Sequence, residues 1–120
     1  MSFAYDDQNV FAKILRGEIP NKTVYENEHA LAFEDIAPQA PIHVLVIPKG
    51  PYMSLDHFAM EASADEQVGF MKAIAEVCKI VGVEDGFRAI ANTRDHGHQE
   101  VPHLHVHICA GKPLGPMLVR

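Results

Sequence analysis

With 120 residues and a mass of 13.3 kDa, the chain has room for one domain, and a chain of this length buries about two thirds of its unfolded surface without disulfide or metal staples. A composition of 48% apolar and 22% charged residues excludes disorder. Ten Lys and Arg against sixteen Asp and Glu leave a net charge of -6, which speaks against a nucleic-acid partner held by its phosphate backbone.

Only Cys78 and Cys109 are present, with no CxxC, so neither a disulfide framework nor a cysteine zinc site is expected, and both read as buried free thiols. Residues 1–10 lack the basic and apolar regions of a signal peptide, and no apolar run approaches the ~18 residues of a membrane span. The expectation is a cytoplasmic protein with no membrane partner, folded as a single domain over residues 1–120.

In chain order, Asp7 is placed to cap a short helix whose apolar residues are Val10, Phe11, Ile14 and Leu15, with Gly17 as its stop. From Thr23 the period changes to two, and Thr23 to Glu26 followed by Ala30 to Asp35 predicts a hairpin. Pro38 and Pro41 make the next residues a connecting loop, since proline has no N–H for a ladder. Ile42 to Ile47 is an almost continuous apolar strand broken by His43. The pair Ser63 and Glu66 forms an S-x-x-E capping box ahead of Phe70, Ile74, Val77 and Val81, and Gly82 follows the last turn. Phe87 to Asn92 and His103 to Ala110 predict two further strands, and residues 111–120 an extended tail. These elements give an α+β domain with two helices and a five-stranded, mainly antiparallel sheet.

Histidine is the unusual residue: eight are present, five of them between His96 and His107. The run His103-Leu104-His105-Val106-His107-Ile108 alternates strictly. On a strand it would place three imidazoles on one face and Leu104, Val106 and Ile108 in the core. Rings that close disfavour one another's charge, so a neutral imidazole with a protonated neighbour is expected. The neutral ring can attack phosphorus while the neighbour assists the oxygens or the leaving group, and the middle residue, His105, is the natural nucleophile. An H-x-H pair can also hold zinc with a third ligand from His43, His96 or His98, but the outer residues of the triad stand about 13 Å apart at Cα. His29 and His57 read as structural or surface residues.

Residues 35–48 (Asp35-Ile36-Ala37-Pro38-Gln39-Ala40-Pro41-Ile42-His43-Val44-Leu45-Val46-Ile47-Pro48), residues 99–107 (Gln99-Glu100-Val101-Pro102-His103-Leu104-His105-Val106-His107) and Gly115-Pro116-Met117 together resemble the histidine triad (HIT) family. Within that family the chain is similar to the branch of nucleotide-binding proteins, from about Phe11 to Met117. The resemblance implies a homodimer whose sheets join, and a hydrolase of purine nucleoside 5'-phosphoramidates working through a nucleotidyl-histidine, with no cofactor and no metal. By the family's motif His105 would be the nucleophile, His107 would serve phosphate and leaving group, and His103 and His43 would orient the network. Asp35 would bind ribose, Ile36 would line the base pocket, and Asn92, Gln99 and Val101 would complete the substrate site. Two departures from the family pattern stand out: Glu100 where many members have Ser, and His98 in a stretch that is usually richer in glycine. A non-catalytic purine nucleotide-binding or scaffold protein, and a zinc-dependent hydrolase, are the alternative readings.

Overall fold

The computed structural model describes residues 2–119. Among them run α1 (Val10–Leu15), β1 (Thr23–Glu26), β2 (Ala30–Glu34), β3 (Ile42–Pro48), α2 (Leu55–Glu61), α3 (Ala64–Val81), β4 (Arg88–Ile90) and β5 (Val106–Ala110). The five strands form one antiparallel sheet in the order β1-β2-β3-β5-β4. The α+β, five-stranded expectation holds, with three helices in place of two.

Strand alternation gives the sheet two unlike faces. Ala30, Ala32, Val44, Val46, Val106 and Ile108 turn to one side and are covered by Phe70, Ala73 and Val77 of α3 together with Phe58 of α2. On the other side Leu31, Phe33, Leu45 and Ile47 pack with Phe11 and Ile14 of α1, and Val101 is half-buried against them. One turn and a half of helix cannot cover five strands. The end of this second face beyond α1 is therefore where polar side chains of β3 and β5 stand.

The longest helix starts as its sequence predicts, with Ser63 Oγ accepting from Glu66 N and Glu66 Oε1 accepting from Ser63 N. Three local expectations change. The cap of α1 is Asn9, whose Oδ1 accepts from Ala12 N, and not Asp7, which lies a residue pair too early to reach the open N–H groups. The unforeseen α2 is capped by Ser54 and carries Asp56 in its first turn and buried Phe58 on its inner side. The last strand begins at Val106 instead of His103. Continued register would set Leu104 opposite Pro48, which has no N–H to give, and the Leu104 N–H goes to Tyr52 O at 2.8 Å. The tail after Gly111 runs without regular structure, tied by Arg88 to the Gly115 carbonyl at 2.7 Å and the Pro116 carbonyl at 3.3 Å. No helix among the described residues is long and apolar enough to cross a membrane.

The core under α3 sets a first expectation. Phe70 is 4% exposed, so Phe70→Ala should lower the unfolding free energy by about 3–5 kcal/mol in urea, through lost burial and the cavity left behind. Met60→Ala, at a side chain 62% exposed, should stay within about 0.5 kcal/mol of the parent.

Candidate active site

The sheet register brings the polar residues of the second face together. Antiparallel pairing sets Leu45 across from His107 and His43 across from Cys109, so His43 and His107 are diagonal neighbours on one face. Their rings meet, His43 Nε2 standing 2.9 Å from His107 Nδ1. Asp35 joins them from the loop after β2: its N–H donates to the His43 carbonyl, and its Oδ2 lies 3.4 Å from His43 Nε2. The His105 and His107 ring centroids are 5.0 Å apart, and Phe11 of α1 presses on the other side of His105 at 5.0 Å.

His103 departs from the expected row of three open imidazoles. It is 0% exposed, and both of its nitrogens are engaged, Nε2 with the Pro48 carbonyl at 2.9 Å and Nδ1 with the Tyr5 hydroxyl at 2.5 Å. A side chain so sealed touches no substrate. Its backbone carbonyl, however, lies 2.8 Å from His105 Nδ1.

These partners fix where the ring protons sit. A carbonyl only accepts, so His105 carries its proton on Nδ1 and keeps a lone pair on Nε2. By the same reasoning His103 carries its proton on Nε2. Gln39 N–H donates to His43 Nδ1 at 3.0 Å, so the His43 proton is on Nε2. That proton points at His107 Nδ1, which accepts, and His107 therefore carries its own proton on Nε2. Neighbouring rings thus present one free lone pair, at His105, and one N–H donor, at His107.

Burial, and then the adjacent His105 and His43, hold the His107 pKa down to about 4. Burial does the same to His103, also to about 4. His105 is lowered by burial as well, against the pull of the His103 carbonyl, Asp35 and Glu100. All three shifts favour the neutral rings, against the expectation of a protonated neighbour. His107 cannot take a second proton at Nδ1 without facing the His43 N–H, which gives the low value a geometric cause.

The remaining expected residues divide. Asn92 is half-buried two residues beyond β4, whose last ladder pair sets Ile90 across from His107. Ile36 is fully exposed beside Asp35, at the rim of a cavity of about 660 Å³ that Asp35 and His43 also line. Gln99 serves as a brace: its Nε2 donates to Met53 O and Val101 O, and its Oε1 accepts from Arg94 N. Arg94 in turn grips Asp56 of α2 at 2.6 Å, holding that carboxyl well below the usual carboxylate range with help from the Ser54 hydroxyl. The loop is tight here. Arg94 and His98 adopt φ of 52° and 58°, a left-handed backbone that disfavours side chains, and a Cβ on Gly97 would lie 2.6 Å from the Thr93 backbone. The His98 side chain points to solvent beside Glu100. His57 is structural, accepting from Met53 N and stacked on Phe3.

For a metal, the three triad rings do not converge. Among the described residues the donor atoms that do gather are those of Asp35, His43 and His107, all within 4.8 Å of one another. With a proton on His43 Nε2 pointing at His107 Nδ1, this group is arranged as a hydrogen-bonded relay, and a cation would have to displace that proton.

Depressed histidine pKa values make stability depend on pH. In the unfolded chain His103 takes up a proton near 6.5, whereas the folded ring resists to about 4, so stability is full above 6.5 and is lost as pH falls through this window. Chemical denaturation should show the unfolding free energy falling between pH 6.5 and 4, with about 3 kcal/mol from His103 alone. The slope should be smaller in His103→Asn. A stability flat across the window would contradict a sealed, neutral His103.

A model of the HIT domain family matches residues 16–114. The chain is 53% identical to an uncharacterized 13.2 kDa HIT-like protein of Azospirillum brasilense, covering 100% of this chain and 99% of that one. It is 42% identical to a purine nucleoside phosphoramidase of Escherichia coli strain K12, with 93% of this chain and 94% of the relative covered. Among solved structures, a HIT family hydrolase from Clostridium thermocellum superimposes with a TM-score of 0.84 at 35% identity, covering 95% of this chain and 99% of its own. On the match to the family model and on these relatives, the chain belongs to the HIT domain family.

Proposed function

We propose that this HIT protein hydrolyses purine nucleoside 5'-phosphoramidates and related nucleotidyl conjugates, with His105 as the nucleophile. The observation that carries the reading is the bond from His105 Nδ1–H to the His103 carbonyl at 2.8 Å, which leaves Nε2 as a free base beside the N–H of His107. The similarity to a purine nucleoside phosphoramidase supports the substrate class.

In the proposed reaction His105 Nε2 attacks the α-phosphorus and a P–N bond to the ring forms. The bond to the departing nitrogen breaks, and that nitrogen takes up a proton from solvent and leaves as the amine. His107 Nε2–H donates a hydrogen bond to the phosphoryl oxygens or the departing nitrogen. The nucleotidyl ring is a cation, and its Nδ1–H bond to the His103 carbonyl strengthens as the charge develops. Water then attacks phosphorus, the bond to Nε2 breaks with its electron pair returning to the ring, and the water gives up the proton that balances the first step. The products are a nucleoside monophosphate and an amine.

Asp35 would bind the ribose, accepting from vicinal hydroxyls, with Ile36 beside the base. Asn92 and Val101 would flank the phosphate and nucleoside. Gln99 would act mainly by holding the loop, since a side-chain phosphate contact would cost it the bonds to Met53 and Val101. The working unit would be a cytoplasmic homodimer, as β4 is a three-residue edge strand and Val68, Met71 and Phe87 are apolar side chains left exposed. Sedimentation should give twice 13.3 kDa.

Mixing the protein with a slowly hydrolysed AMP-amine should give a nucleotidyl adduct on His105, detected by mass spectrometry. His105→Ala should abolish turnover while AMP still binds. Binding without turnover in the parent protein would favour the nucleotide-binding or scaffold reading instead, and loss of turnover on chelation a zinc hydrolase. Because burial lowers the His105 pKa, the neutral base persists further into acid than a free imidazole, so the acidic limb of kcat/KM should be centred below 6.5. An acidic limb centred at 6.5 or above would contradict the burial argument.

A further inference from the structure

The N-terminal arm reaches the histidine network at His103. Tyr5 Oη lies 2.5 Å from His103 Nδ1, and the two rings pack edge-on with centroids 5.6 Å apart. Since His103 Nε2–H is committed to the Pro48 carbonyl, Nδ1 of the neutral ring accepts and the Tyr5 hydroxyl donates. Asn9 Nδ2 donates to the Tyr5 oxygen at 3.0 Å, and Asn9 Oδ1 caps α1, the helix whose Phe11 abuts His105.

His103 lies outside any strand, because the β5 ladder begins at Val106. Its N–H turns back to Val101 O, and its carbonyl takes a bond from an imidazole. The peptide plane that carries this carbonyl is pinned at its far edge by the Leu104 N–H on Tyr52 O and at its near edge by what holds the His103 ring, Pro48 on one nitrogen and Tyr5 on the other. We infer that Tyr5 is a positioning residue for the nucleophile: its hydroxyl locks the His103 imidazole against Pro48 and so aims the carbonyl that orients His105. The chain of contacts runs Asn9, Tyr5, His103, His105, each link a hydrogen bond whose direction is fixed by its partner.

The inference rests on the proposed hydrolysis for its kinetic readout and on a spectroscopic one that needs no substrate. In the full-length protein, Tyr5→Phe keeps the ring and removes the hydroxyl. It should lower kcat about tenfold, the effect of one lost hydrogen bond in the transition state, with KM within about twofold. In the parent protein the His105 Nδ1–H should give a slowly exchanging downfield NMR resonance, and in Tyr5→Phe that resonance should broaden by exchange with water. Asn9→Asp is the second variant. It preserves the helix cap but replaces the amide donor by a carboxylate that competes for the Tyr5 proton, so the same two changes are expected, and it decides the matter should Tyr5→Phe fail to fold.

An arm that only adds stability would lower the melting temperature and leave both readouts alone, which would overturn the inference. Either change without the other would also overturn it, because the effect would then not run through His105. If the parent protein shows no turnover on any phosphoramidate, the proposed reaction falls, and the resonance alone decides whether Tyr5 governs His105.

Discussion

The hydrogen bond from His105 Nδ1–H to the carbonyl of His103 is the constraint on which the site depends. A carbonyl has no proton to give, so the bond admits one tautomer of His105 and leaves Nε2 as the base. The other end of the network is fixed in the same way by an N–H that can only give, that of Gln39 to His43 Nδ1. Between a backbone acceptor and a backbone donor, His105 and His107 are left with opposite faces to show: a lone pair and a proton. Burial then removes the third variable, charge, by keeping the rings neutral.

The fold supplies this arrangement through an imbalance. Eighteen residues of α3 cover one face of the sheet, whereas the six of α1 leave part of the other open, and the diagonal of β3 and β5 places His43 against His107 there. Ahead of β5 the chain is held not by a ladder but by cross-links: Leu104 to Tyr52, Gln99 to Met53, and Arg94 to Asp56. The stretch from Tyr52 into the first turn of α2 is thus a clamp on the loop that leads into the histidines.

Period and capping were legible in the residues. Strict alternation from His103 to Ile108 gave the correct inward set, Leu104, Val106 and Ile108, and the S-x-x-E box gave the start of α3, because both signals are local. What escaped depends on partners distant in sequence. Alternation could not tell that Tyr5 and Pro48 seal His103, nor that the strand fails before Val106 for want of an N–H at Pro48. Gln99 reads as a phosphate donor until Met53 and Val101 occupy its amide. The cap by Asn9 and the helix after Ser54 had signals in the sequence: an Asn one residue before an apolar turn, with Asp7 competing for the same role, and a Ser ahead of Leu55-Asp56. The expectation of a protonated neighbour failed because charge in a row of histidines is decided by burial and by what each nitrogen already holds.

Neutron diffraction from a crystal of the deuterated protein at neutral pH decides this tautomer pattern, since it locates the ring protons themselves. Deuterons are expected on Nδ1 of His105 and on Nε2 of His43, His103 and His107, with none on His105 Nε2. A deuteron on His105 Nε2, or a doubly protonated His107, would contradict it.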